Sequence, residues 1–169
     1  MEENPHVGQS YKPNLDIWIP ADEGEKKNIH LVTNSHGLIG PEWEGNTDTL
    51  RIAHLGDSFT AGIQSVSYNE TYAYMIGELL SRRLGVPVGN FNFGVGGFGT
   101  GDALNAYLYY ARDARPDIVL LWAYLGNDFD NNFEDMKDKD GSISEPAIPS
   151  LNAEKQPLFL RLAVESKLM

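Results

Sequence analysis

Residues 50–62 read LRIAHLGDSFTAG, a strand pattern that ends in glycine and continues into small polar residues. Residues 50–55 are mostly apolar and have the length of one buried strand. Gly56 ends the pattern, and the polar residues after it indicate a sharp turn. We therefore predict a strand that brings Asp57 and Ser58 to its carboxyl end.

Two further strand patterns follow, over residues 86–93 and 118–125. One helix is predicted between the first two strands, over residues 67–85, and another between the last two, over residues 100–116. The apolar run at 118–125 is typical of a parallel strand that is covered on both faces. The order strand, helix, strand, helix, strand predicts an α/β fold with a parallel sheet and right-handed crossovers.

The first predicted helix has signals at both ends. Ser67 and Glu70 have the spacing of a capping box, in which each side chain bonds the other residue's backbone N–H. Gly85 suits the left-handed conformation that commonly follows a helix. Apolar residues recur between these signals at helical spacing, so we expect one face of the helix to pack on the sheet.

The two ends of the chain carry weaker patterns. Residues 1–49 contain four of the nine prolines and little periodicity, which predicts an irregular lead-in packed on a domain that spans residues 50–169. Within the lead-in, residues 29–32 are predicted to form a short strand. Residues 157–168 are predicted to form one more amphipathic helix.

Composition limits the classes of function. The 169 residues carry 13 Lys and Arg against 24 Asp and Glu, a net charge of −11, which argues against binding to nucleic acid. The absence of cysteine excludes disulfides and thiolate nucleophiles. The longest apolar run is too short to span a bilayer, and the first residues lack the pattern of a signal peptide. Compartment and oligomeric state stay open.

Polar and glycine residues follow all three predicted strands. Ser58 follows the first strand, the glycine-rich residues 92–97 follow the second, and Asn127 follows the third. The carboxyl ends of parallel strands lie at one edge of the sheet, where ligands bind in open α/β folds. A hydroxyl nucleophile beside a backbone N–H and a carboxamide is suited to attack on an ester carbonyl.

These three blocks resemble the SGNH (GDSL-type) hydrolases, whose signature adds a late Asp-x-x-His block. The resemblance covers roughly residues 30–130 and implies a flavodoxin-like three-layer α/β/α fold with a five-stranded parallel sheet. The implied activity is that of an esterase with an acyl-enzyme intermediate, which needs no cofactor or metal. Ser58 is the implied nucleophile. The implied oxyanion hole consists of the Gly97 N–H, the Asn127 side-chain amide and the Ser58 N–H.

One block of that signature is missing, because no Asp-x-x-His follows Asn127. The four histidines of the sequence are His6, His30, His36 and His54. We expect His54 to be buried in the first strand and His36 to lie in a turn. A serine without a base is a poor nucleophile. We therefore expect a hydrolase domain that is incomplete at its C-terminus, with the histidine beyond residue 169, or a relative that binds a ligand without turnover.

The sequence also matches parts of two other motifs, one for dinucleotide binding and one for calcium binding. Residues 94–99 fit the G-x-G-x-x-G fingerprint of dinucleotide binding, with Asp128 as the ribose ligand, although a whole strand–helix unit precedes them. Asp128, Asp130 and Asn132 match the first ligand spacings of a calcium-binding EF-hand loop. That loop fails at its glycine position and at its final glutamate position, so a solvated acidic loop is expected instead.

The expected partner is a small-molecule, lipid or glycan ester. Asp57, Phe129 and Phe133 are the candidates for substrate contact, because they flank the predicted nucleophile and the third block. Trp122 and Tyr124 are expected to belong to the core, since they sit in the third strand. Transfer of the acyl group to a carbohydrate hydroxyl uses the same groups as hydrolysis and stays an open alternative.

Overall fold

The computed structural model describes residues 1–20, 27–42, 49–63, 65–124 and 126. The strands in this part of the chain are β1 (Glu2–Asn4), β2 (Gly8–Ser10), β3 (Asp16–Pro20), β4 (Asn28–Val32), β5 (Leu50–Gly56), β6 (Val88–Asn92) and β7 (Ile118–Trp122). Its α-helices are α1 (Ser58–Ala61), α2 (Tyr72–Leu84) and α3 (Thr100–Tyr109). None of these helices combines the length and the apolar character needed to cross a bilayer. The helix predicted at residues 157–168 lies outside the described residues.

The central sheet confirms the predicted parallel α/β arrangement. Its strand order is β6-β5-β7, and both pairings are parallel. Leu50 lies opposite Val88 on one side of β5, and Ile52 lies opposite Ile118 on the other. The first strand is thus central, with the second and third on either side of it, as in flavodoxin-like folds.

The main core lies around β5, where Ile52, Ala53 and Leu55 are buried. Helix α3 adds Ala103, Ala106 and other buried residues to the same cluster. The expectation that the third strand is covered on both faces is wrong for the described residues, because Ile118 and Leu121 of β7 are exposed. The reason is the position of β7, which is an edge strand of the three-stranded central sheet that the structure describes.

Helix α2 begins later than the capping box predicts. The reciprocal bonds between Ser67 and Glu70 are present, but they enclose a single 3₁₀ turn, Tyr68–Glu70. The helix itself starts after Thr71, whose side chain accepts a hydrogen bond from the Tyr74 N–H. Gly85 caps the other end in the left-handed conformation, with φ of 69°, as predicted.

The side of α2 that packs on the sheet is lined by small residues rather than by its large apolar ones. Ala73 and Gly77 are buried, whereas Met75 and Leu79 are exposed. A Cβ atom at Gly77 would lie only 1.3 Å from Asn90 Nδ2 of β6. The close approach of α2 to β6 therefore requires glycine at this position, and it displaces the larger side chains toward solvent.

The N-terminal part of the chain is more regular than predicted. Strands β1 and β2 form one antiparallel hairpin, and β3 and β4 form another. Strand β4 confirms the short strand expected at residues 29–32. Strands β1, β2 and β3 were not predicted. Strands β1 and β2 have only three residues each, too few to show an alternation of apolar and polar residues. The boundary of the predicted domain at residue 50 stays a prediction.

Candidate active site

Ser58 lies at the carboxyl end of the central strand. Strand β5 ends at Gly56, and the buried Asp57 caps α1 by accepting a hydrogen bond from the Phe59 N–H at 2.9 Å. Ser58 is the first residue of α1 and is exposed. The helix has four residues and ends at Gly62, in the left-handed conformation with φ of 68°. This sharp strand-to-helix turn presents residue 58 at the surface.

Asn92 joins this turn to the glycine-rich loop that follows β6. Its Nδ2 donates to the Thr60 carbonyl at 2.8 Å, and its Oδ1 accepts from the Gly94 N–H at 3.0 Å. Asn92 is 4% exposed, so these bonds are shielded from water. A single buried side chain therefore fixes α1 relative to the loop, a role that the sequence did not reveal.

The glycines of the loop allow it to lie against α1. A Cβ atom at Gly94 would come within 2.5 Å of the Ala61 backbone nitrogen. A Cβ atom at Gly96 would lie 3.9 Å from Ser58 Cβ, which places this loop beside the candidate nucleophile. Gly97 is exposed and has φ of 84°, a conformation that favours glycine. Packing against α1 thus accounts for Gly94 without a bound dinucleotide.

Part of the predicted site can be located and part cannot. Ser58 and Gly97 are brought to one edge of the sheet, as described above. Asn127, Phe129 and Phe133 lie outside the described residues. Asp57 is 2% exposed and serves as the cap of α1, so its contact with substrate stays a prediction.

His54 is buried in β5, as expected, and both of its ring nitrogens are engaged. The Trp122 indole N–H donates to His54 Nδ1 at 3.1 Å, and His54 Nε2 lies 3.0 Å from Asn90 Oδ1. Since an indole can only donate, Nδ1 is the acceptor and Nε2 carries the proton. Burial lowers the pKa of His54, although the bond to Asn90 opposes this. His54 is therefore a neutral core residue and does not serve as the base for Ser58.

The other three histidines lie in the N-terminal segment. His30 bonds Asp16 at 2.6 Å and stacks on Trp18, while His6 stacks on Tyr109 with ring centroids 4.2 Å apart. His36 is exposed in a turn, as expected. Within the part of the chain that the structure describes, the Ser58 hydroxyl has no hydrogen-bond partner.

An aromatic pair that sequence reasoning missed lies next to the nucleophile. Phe59 and Tyr124 are 59% and 44% exposed, and their ring centroids are 4.5 Å apart. The expectation that Tyr124 belongs to the core is wrong, because the chain at residue 124 has passed the end of β7. Trp122 is half-buried, as its bond to His54 requires. The sequence did offer one signal for this pair. If Asp57 caps a short helix, Phe59 falls in the first turn of that helix, where its side chain is exposed.

A cavity of about 460 Å³ lies between the β1–β2 hairpin, the glycine-rich loop and α3. Its lining is largely apolar and includes Val7, Tyr11, Phe93, Val95 and Tyr110. Ser58 and Phe59 are not among the lining residues. The cavity therefore lies on the hairpin side of the loop rather than at the nucleophile.

Residues 52–160 match the family model described as GDSL-like Lipase/Acylhydrolase. This match covers more than half of the chain, and it includes the Ser58 turn, the glycine-rich loop and Asn127. Both N-terminal hairpins precede it. No curated protein matches the chain.

Proposed function

Because the chain belongs to the GDSL-like lipase/acylhydrolase family, we propose that it is a serine hydrolase that acts on ester bonds. One observation carries the proposal. The exposed Ser58 lies two residues after the end of the central strand, and the glycine-rich loop lies close enough that a Cβ at Gly96 would contact the Ser58 side chain. A nucleophilic hydroxyl and backbone N–H groups can therefore act on the same carbonyl group.

In the proposed reaction, Ser58 Oγ attacks the ester carbonyl carbon while a general base takes the hydroxyl proton. The carbonyl oxygen becomes an oxyanion, which the N–H groups of Ser58 and Gly97 and the Asn127 amide stabilise. The C–O bond to the alcohol then breaks, and the alcohol leaves with the proton. Water attacks the acyl-enzyme by the same route and releases the acid and Ser58.

The proposal requires a general base, and the hydrogen bonds of His54 exclude that residue. In the family signature the base is the histidine of an Asp-x-x-His block, which the printed sequence does not contain. Hydroxide can also deprotonate a serine hydroxyl, so the reactivity of Ser58 can be measured with the base supplied by the solution.

The test is covalent labelling of Ser58 by a fluorophosphonate probe, measured by mass spectrometry of the digested protein from about pH 7 to pH 10. We expect one adduct, on the peptide that contains Ser58, with a rate that rises with pH. Ser58→Ala is expected to abolish it, and Ser65→Ala, which removes another exposed serine after α1, is expected to leave it unchanged. An adduct that survives in Ser58→Ala, or no adduct at any pH, would refute the proposal.

A further inference from the structure

The β1–β2 hairpin is bonded to the glycine-rich loop through two side chains. Gln9 Nε2 donates to the Gly96 carbonyl oxygen at 2.7 Å, and the Tyr11 hydroxyl accepts from the Gly96 N–H at 3.2 Å. Both polar backbone groups of Gly96 are thus held by residues more than 80 positions earlier in the chain. Gln9 and Tyr11 precede the segment that matches the family model.

The bond from Gln9 fixes the peptide group that carries the Gly97 N–H. The Gly96 carbonyl and the Gly97 N–H belong to one planar peptide, and no described peptide bond is cis. In a trans peptide these two groups point in opposite directions, so a carbonyl held toward Gln9 directs the Gly97 N–H away from it. Gly97 has no side chain to restrict its backbone, which leaves the orientation to such contacts.

The same bond also strengthens the Gly97 N–H as a donor. A hydrogen bond accepted by an amide carbonyl polarises the whole amide, and chains of such bonds strengthen one another. Tyr11 acts on the preceding peptide, between Val95 and Gly96, and not on the one that carries the Gly97 N–H. Gln9 therefore has the more direct influence on the proposed oxyanion donor.

The hairpin is anchored independently of its bonds to the loop. Asn4 Oδ1 accepts hydrogen bonds from the Tyr110 hydroxyl at 2.8 Å and from two backbone N–H groups of the hairpin turn. The His6 ring stacks on Tyr109, at an angle of 13° between the rings. Val7 is 5% exposed and belongs to the main core cluster. These contacts to the end of α3 hold Gln9 at a defined distance from the loop.

We infer that Gln9 is a positioning residue for the oxyanion-binding N–H of Gly97. It acts through the Gly96–Gly97 peptide and touches neither the ester nor Ser58. The inference rests on the proposed function, because it assigns Gln9 a part in stabilising the oxyanion that Ser58 creates. It also gives the N-terminal hairpin, which lies outside the matched segment, an indirect part in catalysis through the orientation of the Gly97 N–H.

The first test is Gln9→Met, which keeps the length of the side chain and removes the donor. We expect kcat for Ser58-dependent hydrolysis of p-nitrophenyl acetate to fall about 3–10-fold, as for the loss of one neutral hydrogen bond. KM should change little, because the bond strengthens as the oxyanion forms. In the ¹⁵N-labelled protein, the Gly97 amide proton should shift upfield as the polarisation of its peptide is lost.

A second variant separates positioning from folding. In Gln9→Glu the ionised carboxylate cannot donate to the Gly96 carbonyl, but the protonated carboxyl can. The Gly97 amide proton shift of Gln9→Glu should therefore move toward the wild-type value as the pH is lowered from about 8 toward about 4.5. The Gly97 shift of Gln9→Met should not depend on pH in this range. The amide shifts of the other hairpin residues should stay unchanged throughout, which shows that the hairpin remains folded.

The matched control is Glu3→Gln, on the exposed residue directly opposite Gln9 in the hairpin. It should leave both kcat and the Gly97 amide shift unchanged. The inference is overturned if Gln9→Met retains the wild-type kcat and the wild-type Gly97 shift, or if the Gly97 shift of Gln9→Glu does not recover at low pH. Failure of the proposed function looks different, since the wild-type protein would then show no Ser58 labelling at all.

Discussion

Replacement of Asn127 by alanine is expected to slow Ser58-dependent ester hydrolysis by roughly 100–1000-fold. We propose that the Asn127 side-chain amide donates to the oxyanion, where charge develops only in the transition state. Loss of one such donor typically costs about 2.7–4 kcal/mol of transition-state stabilisation. The measurement is kcat and KM with p-nitrophenyl acetate, after subtraction of the rate that remains in Ser58→Ala. The loss should fall on kcat.

Asn105→Ala is a suitable control for that substitution, because Asn105 lies on α3 and not on any of the three strand ends. Its rate should equal that of the wild-type protein. An unchanged rate in Asn127→Ala would remove Asn127 from the proposed oxyanion hole. A rise in KM without a fall in kcat would assign Asn127 to substrate binding instead.

Replacement of Asn92 by leucine is expected to reduce the free energy of unfolding by about 2–6 kcal/mol. The two residues are similar in size, but leucine leaves both the Thr60 carbonyl and the Gly94 N–H without the partner they have in the structure. Each unpaired buried group costs about 1–3 kcal/mol. Urea denaturation followed by tryptophan fluorescence measures the change.

Two further variants make the Asn92 result interpretable. Asn92→Asp keeps the acceptor for the Gly94 N–H but can donate to the Thr60 carbonyl only when its carboxyl is protonated. Because a buried carboxylate is costly, the loss of stability of this variant relative to the wild-type protein should be larger at about pH 8 than at about pH 4. Asn69→Leu, at an exposed position, should change the stability by no more than about 0.5 kcal/mol. If Asn92→Leu proves as stable as Asn69→Leu, Asn92 does not hold the loop against α1.

The central sheet was predictable because its three strand patterns are rich in apolar residues and each is followed by glycine, at Gly56, Gly94 and Gly126. The parallel arrangement followed from the alternation of strands and helices, and the resemblance to a known family implied the flavodoxin-like fold. The burial of His54 was also predictable, since it occupies an interior position of the first strand. These features depend on residues that are close together in the sequence.

Features that depend on distant partners were not predictable. Asn92 bonds a residue 32 positions away, and Gln9 bonds one 87 positions away, so no local pattern reveals either contact. The β1–β2 hairpin is likewise held by contacts to the glycine-rich loop and to the end of α3, which its three-residue strands do not reveal. The large apolar residues of α2 predicted the wrong packing face, because the helix approaches the sheet through Ala73 and Gly77.

The most direct measurement is a crystal structure of the protein after reaction with a fluorophosphonate, whose phosphonyl oxygen takes the place of the oxyanion. The account predicts a covalent bond from Ser58 Oγ to phosphorus. It also predicts that the phosphonyl oxygen lies about 2.7–3.1 Å from the Gly97 nitrogen, with the Asn127 amide within the same distance. An adduct at Ser58 whose phosphonyl oxygen faces away from both donors would contradict it.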